Sequence, residues 1–168
     1  TITSDGGAAT AAVNVAENST VVTTVTSSDP EGDTPLYSIV GGTDAARFSI
    51  DSSSGELTFV TAPDFEAPTD ADTDNVYEVT VEVSDGSLTD TQAISVTVTS
   101  VNDNAPVITS DGGGATAAVN VAENATAVTT VTATDADLPV QTLSYSISGG
   151  LDAARFAINS SSGALTFA

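Results

Sequence analysis

The chain has 168 residues, enough for one or two domains, and a formal charge of −21, with two basic residues, Arg47 and Arg155, and no lysine or histidine. That balance excludes a nucleic-acid interface, which needs a basic footprint, and an anionic membrane surface, which repels such a chain. The absence of cysteine excludes disulfides, zinc–thiolate sites and thiol chemistry, and no apolar run reaches the roughly 18 residues of a membrane-spanning helix. Hydrophobic residues make up 40%, which argues for a folded chain despite its charge. Carboxylate repulsion opposes compaction, and bound divalent cations are the simplest offset.

Internal repetition dominates. Residues 1–18 read TITSDGGAATAAVNVAEN and residues 107–124 read VITSDGGGATAAVNVAEN. The offset later slips by two, since Tyr37 matches Tyr145 and Phe48 matches Phe156, and the slip falls between Asp29 and Tyr37, which marks a surface loop. In chain order, short strands are expected at Ala11–Val15, Thr20–Thr26, Leu36–Val40, Arg47–Ile50 and Glu56–Val60. Thr43–Ala46 is expected to form one helical turn capped by Thr or Asp, and Asp51–Gly55 a tight loop. Two longer strands follow. Val76–Val83 alternates, with Tyr77, Val79, Val81 and Val83 on one face and Glu78, Thr80 and Glu82 on the other. Ala93–Val98 places Ile94, Val96 and Val98 inward, and Ser84–Ser87 is the turn between them. Gly6-Gly7 and Gly112–Gly114 read as turns rather than phosphate cradles, since no helix or lysine follows. Seven short strands per hundred or so residues predict a β-sandwich repeat at 1–99, a polar linker at 100–106 and a second repeat at 107–168. The second copy ends at Ala168 before the late strands recur, so the natural protein is expected to continue, or a neighbouring chain to supply those strands.

The acidic residues are grouped. Glu17 ends the first strand, Asp29 and Glu31 follow the second, Asp64-Phe65-Glu66 follows Pro63, and Asp85 sits in the late turn. In a sandwich the loops lie at two poles. Glu17, Asp64 and Glu66 are expected to share the pole beside the linker, and Asp29, Glu31 and Asp85 the other. Asp135 and Asp137 correspond to Asp29 and Glu31 and would meet the first set across the linker, together with Asp103. Without a cation such a set is repulsive. Ca²⁺, which takes six to eight oxygens at about 2.3–2.6 Å, suits it. With no nitrogen or sulfur ligand, zinc and copper are disfavoured.

The motifs Val-Ala-Glu-Asn, Asp-Ala-Asp, Asp-Phe-Glu, Ser-Asp-Gly and Val-Asn-Asp-Asn-Ala-Pro, in this order and spacing, resemble those of the cadherin repeat, and the TSDGG…ATAAVNVAEN text resembles the cadherin-like tandem repeats of giant bacterial surface proteins and adhesins. The resemblance covers the whole chain. It implies an all-β fold of tandem Ig-like Greek-key sandwiches with Ca²⁺ between repeats. It also implies side-chain ligands at Glu17, Asp64, Glu66, Asp103, Asp135 and Asp137, a side-chain oxygen from Asn102 and a backbone carbonyl from Asn104. Asp29, Glu31 and Asp85 would serve a preceding junction and Glu123 a following one. Ser100 stands where the family linker usually begins with Asp, and the equivalent of Asp85 in the second copy lies beyond Ala168, so fewer than the family's three ions, or shells completed by water, are expected. The strand-swapping tryptophan of the family is absent.

The resemblance implies a structural extender of an extracellular, calcium-stiffened adhesin whose partners are adjacent repeats. The competing reading is a module that binds extracellular polysaccharide or sibling molecules, and Tyr37, Tyr77 and Tyr145 are its only tyrosine contacts. An enzyme is disfavoured, since no nucleophile constellation or histidine accompanies the carboxylates. Asp70-Ala71-Asp72-Thr73-Asp74-Asn75 offers oxygens at i, i+2 and i+4, but no glycine or distal glutamate follows, so a calcium loop and a solvated loop both stand. Arg47 and Arg155 read as structural partners of the local aspartate or of a strand-end carbonyl. Asn18 and Asn124 fit the glycosylation pattern but belong to the Glu-Asn motif.

Overall fold

Seven strands build the first part of the chain: β1 (Thr10–Ala16), β2 (Val21–Thr24), β3 (Leu36–Gly41), β4 (Phe48–Ile50), β5 (Glu56–Phe59), β6 (Val76–Ser84) and β7 (Thr89–Thr99). The alternation in β6 and β7 is the physical reason for their faces. Tyr77, Val79, Val81, Val83, Ile94, Val96 and Val98 are buried, and the residues between them are more exposed. The two strands pair antiparallel from Val76↔Thr97 to Ser84↔Thr89. β1 joins β7 in parallel and β3 joins β6 antiparallel, giving the order β1-β7-β6-β3. A second sheet, β2-β5-β4, covers it. Phe59 meets Tyr77 edge-on across the core, with ring centroids 5.1 Å apart, and stacks on Phe48 at 4.7 Å. This is an all-β sandwich, as the alternation requires.

Details depart from the sequence expectation. β7 begins at Thr89 rather than Ala93, because Ser84–Val81 continues to pair with it. β2 is shorter than 20–26: its register shifts between Val21 and Thr23, and the Val25 amide turns to the Gly55 carbonyl at 2.8 Å. Gly55 has φ +74°, and a Cβ there would collide with the Val25 carbonyl oxygen. The expected helical turn is a 3₁₀ turn at Ala45–Arg47, without a side-chain cap. Asp44 is instead drawn into the protein. The Gly-rich openings are 3₁₀ turns at Ser4–Gly7 and Ser110–Gly112.

The structure, a computed structural model, describes all 168 residues and divides them into two compact units, Thr1–Val101 and Asn102–Ala168. The second unit contains β8 (Val107–Ile108), β9 (Ala127–Thr130), β10 (Ala133–Thr134), β11 (Phe156–Ile158) and β12 (Ala164–Phe167). Its sheet β11-β12-β9 repeats β4-β5-β2 of the first unit strand for strand. Its residues 116–122, TAAVNVA, are identical to β1 and yet form no strand, and Tyr145, the counterpart of β3's Tyr37, lies outside any strand as well. In the first unit, β1 pairs only with β7, and β3 only with β6; neither partner recurs in the second unit. Pairing, rather than local propensity, makes these strands.

Candidate calcium-binding loops

Glu17 follows β1 directly and is 3% exposed. The end of β1 carries it inward, and two backbone amides then hold it: Phe65 N–H donates to Oε2 at 2.8 Å and Val101 N–H to Oε1 at 2.6 Å. These are charge-assisted bonds, about twice as strong as neutral ones. One glutamate thereby ties the Asp64–Glu66 loop and Val101, the last residue of the first unit, to the end of β1. A carboxylate oxygen of Glu66 lies within 4.8 Å of one of Glu17. Asp64 organises its own loop by accepting the Glu66 and Ala67 amides on Oδ1, at 3.0 and 3.1 Å. The first unit thus sets Glu66 close to Glu17, with Asp64 in the turn that leads to Glu66.

Asp29, Glu31 and Asp85 line a common cleft of about 370 Å³ together with Thr1, Asp33 and Asp90. Asp29 Oδ1 accepts the Glu31 and Gly32 amides at 2.8 and 3.0 Å. Asp85 Oδ1 accepts those of Ser87 and Leu88 at 2.7 Å each, and the Leu88 and Ser87 hydrogen bonds hold the Asp85 carboxyl below its ordinary value. Asp90, which the motifs did not single out, anchors the opening segment by accepting the Ile2 amide at 2.8 Å.

In the second unit, Asp137 is the organiser. It is 1% exposed, and its Oδ1 accepts the Asn104 amide at 3.0 Å, the Asn104 side-chain amide at 2.9 Å and the Asp103 amide at 3.4 Å. Burial, the largest single influence, pushes its carboxyl up. The hydrogen bonds from the Asn104 side chain, the Asn104 and Asp103 amides and Asp135 outweigh burial and hold the group below its ordinary value. Asp135 Oδ1 in turn accepts the Asp137 amide at 3.0 Å. The Asn102 side-chain amide donates to Gln141 Oε1 at 2.6 Å, and that of Asn104 also reaches Asp103 Oδ1 at 2.9 Å. Gln141, absent from the motif set, is therefore part of this arrangement. Glu123 is exposed on a turn, unlike its buried counterpart Glu17.

Two further features bear on the alternatives. Tyr37 and Tyr77 are buried, with their hydroxyls engaged by Ser27 at 2.9 Å and by the Thr69 amide at 3.0 Å, so neither offers a surface platform. Asp44, expected as a cap, is a buried clamp: Oδ1 accepts the Ala71 amide at 2.8 Å and Oδ2 the Glu78 amide at 3.0 Å. Of the partners expected for the arginines, a local aspartate or a strand-end carbonyl, Arg155 takes the first, its Nε 3.3 Å from Asp152, and Arg47 forms no ion pair with Asp44. In the neighbouring loop, the Asp74 charge, burial and contact with Asp70 push the Asp72 carboxyl up. No helix is long and apolar enough to cross a membrane.

Comparison with known proteins identifies the domain family. A family model described as a cadherin domain matches residues 11–99. Protocadherin Fat 1 of Homo sapiens is 36% identical over 130 residues, which cover 73% of this chain and 3% of that protein. Cadherin-17 of Mus musculus is 38% identical over 107 residues, 60% of this chain and 12% of that protein. The chain therefore spans only a small part of the length of these relatives, which are animal proteins. Among solved structures, the extracellular domains 3–6 of protocadherin gammaB7, described as a cis-dimer, align with TM-score 0.67 and 26% identity over 96% of this chain and 43% of that one. Mouse cadherin-23 EC22-24 aligns with TM-score 0.66 at 24% identity, covering 96% of this chain and 51% of that one, which supports the fold alone. With the sandwich, the ordered acidic motifs and these matches together, the chain belongs to the cadherin domain family.

Proposed function

We propose that these repeats are spacers of an extracellular, calcium-dependent surface adhesin, of the kind built from near-identical tandem repeats in large bacterial surface proteins, and that Ca²⁺ at the repeat junction stiffens the array. The observation that carries the reading is Glu17. A carboxylate 3% exposed is held by two backbone amides with a second carboxylate, that of Glu66, within 4.8 Å. Two negative groups fixed so closely repel unless a cation lies with them. The donor set suits a hard cation, because every side chain in it offers oxygen and the chain holds no histidine or cysteine.

In this reading Glu17, Asp64 and Glu66 of the first repeat, and Asn102, Asp103, Asn104, Asp135 and Asp137 of the linker and second repeat, would hold the ion. Asp29, Glu31 and Asp85 would serve a preceding junction, and Glu123 a following one. Bound calcium supplies positive charge that ties carboxylates from separate segments. The protein's own contribution is prior order: Glu17 fixes the chain at Val101, and Asp137 folds Asp103 and Asn104 around itself. Stiffness then follows from cross-linking elements that are each rigid already. The near-identity of residues 1–18 and 107–124 supports an array in which one junction design recurs.

The test is small-angle scattering of the chain with calcium and with chelator. Calcium should lengthen the particle and narrow its distribution of distances. The double substitution Glu66→Ala, Asp103→Ala should abolish that response while leaving the core of the first repeat folded by circular dichroism. Superposable profiles with and without calcium would refute the reading.

A further inference from the structure

A second acidic group lies within the first repeat, in the long loop between β5 and β6. Asp70, Asp72 and Asp74 each bring a carboxylate oxygen within 4.8 Å of the others. Clustering alone could be a solvated loop, but Asp70 is not solvated. It is 4% exposed, its Oδ2 accepts the Asp74 amide at 2.8 Å, and its Oδ1 is buried without a hydrogen-bond partner. A buried carboxylate oxygen lacking any donor is costly, and it points to a ligand that brings positive charge. Protein cations do not fill that role. Arg47 is the one basic side chain of this unit. It lines the cavity beside Asp70 but makes no ion pair with it.

The surrounding loop is built to hold these oxygens in place. Asp44 accepts the Ala71 amide, the Tyr77 hydroxyl accepts the Thr69 amide, and the Asn75 side chain donates to the Phe65 carbonyl at 3.1 Å. Asp74 Oδ1 accepts the Val76 amide at 2.8 Å. Thr73 and Asn75 both have positive φ, at 60° and 65°. For the β-branched Thr73 this is an unfavourable backbone, kept only where surroundings over-determine it. Asp72 and Asp74 are exposed while Asp70 is buried, so the group has a protein side and an open side. A hard cation would take protein oxygens on one and water on the other.

We propose that Asp70, Asp72 and Asp74 form a calcium site within the repeat, distinct from the junction set and closing the β5–β6 loop onto the sandwich. It stands whether or not calcium joins the repeats. The same loop carries Phe65, whose amide holds Glu17, so a filled site would also steady that end of the domain.

The experiment is a titration of the ¹⁵N-labelled full chain with CaCl₂, followed through its amide resonances, alongside equilibrium dialysis for bound calcium. The background is a Glu66→Gln, Asp103→Asn chain, which disables the junction set. There, amides of residues 70–76 should still shift and saturate, with a dissociation constant in the ~10⁻⁴–10⁻³ M range of extracellular calcium modules. Asp72→Ala removes an exposed carboxylate that holds no amide of another residue. It should weaken this phase roughly tenfold or more and leave the resonances of β6 and β7 unmoved. Asp70→Asn keeps an acceptor for the Asp74 amide and should abolish the phase. If Asp70→Asn fails to fold, Asp72→Ala decides alone. The proposal is overturned if the loop amides show no saturable shift, if Asp72→Ala titrates like its parent, or if MgCl₂ produces the same shifts at the same concentrations, which would reveal a general counter-ion effect.

Discussion

Replacing Glu66 with glutamine should reverse the sign of its effect on stability with calcium. The Glu66 and Glu17 carboxylates lie within 4.8 Å of each other. At that separation and an effective dielectric near 20, Coulomb's law gives about 3.5 kcal/mol of repulsion. Glu66 is only half-buried, and solvent screening reduces the figure to roughly 1–3 kcal/mol. Glutamine matches glutamate in size and leaves the Asp64 and Glu17 hydrogen bonds to the loop backbone in place. In chelator, Glu66→Gln should therefore raise the melting temperature of the first repeat by several degrees, given about 4–8 °C per kcal/mol for a domain near this size. In saturating calcium the charge is needed, and the variant should melt below the parent. Thermal unfolding by near-ultraviolet circular dichroism in the two buffers reads both signs. A variant that melts lower in chelator would show that the Glu66 charge stabilises the calcium-free fold, and the repulsion argument would fail.

Other outcomes follow from single contacts. Gly55→Ala should lose at least 2 to 3 kcal/mol, roughly, because a Cβ meets the Val25 carbonyl at a positive φ; a urea midpoint unchanged from the parent would contradict that packing. Asp44→Ala should cost about 2–4 kcal/mol by leaving the Ala71 and Glu78 amides without their charged acceptor, and an equilibrium denaturation curve measures it. The amides of Ser54 and then Ser53, with the Ser54 hydroxyl, hold the Asp51 carboxyl below its ordinary 3.8. A depressed carboxylate stabilises the fold fully above that ordinary value and loses its contribution as pH falls through the folded one. Stability should therefore drop on the acid side of 3.8, and Asp51→Asn should flatten part of that drop. The second unit already carries Asn159 here, accepting the Ser161 and Ser162 amides in the same turn. Urea midpoints down to about pH 2 test it, and an unchanged acid limb in the variant would count against the turn's role.

The β6 and β7 faces were legible because alternation of side chains is a local property that one buried face turns into burial. Glu17, Asp64 and Glu66 could be grouped for a similar reason, since strand count places loop ends at one pole. What could not be read was anything decided by a distant partner. Asp44 looked like a helix cap, yet its oxygens go to Ala71 and Glu78, which no local pattern announces. Asp70 and Asp72 look alike in sequence, but one is buried and the other exposed, because Asp70 stands between Thr69 and Ala71, whose amides Tyr77 and Asp44 pin. Gln141 entered the Asn102–Asp137 arrangement through a contact 39 residues from Asn102. Side-chain chemistry was legible, and the direction in which each side chain turned was not.

The place of β6 and β7 at the centre of the larger sheet has a consequence for how such a protein is made. The larger sheet depends on β6 and β7, the last strands of the repeat to be synthesised. A repeat leaving a ribosome therefore completes its larger sheet only when its last two strands have emerged. Until then β1 and β3 lack the strands they pair with, and the chain carries a second copy of the β1 text that competes for the same partner. Sequence identity between repeats raises that hazard of mispairing. The formal charge of −21 opposes such contacts, because like charges repel.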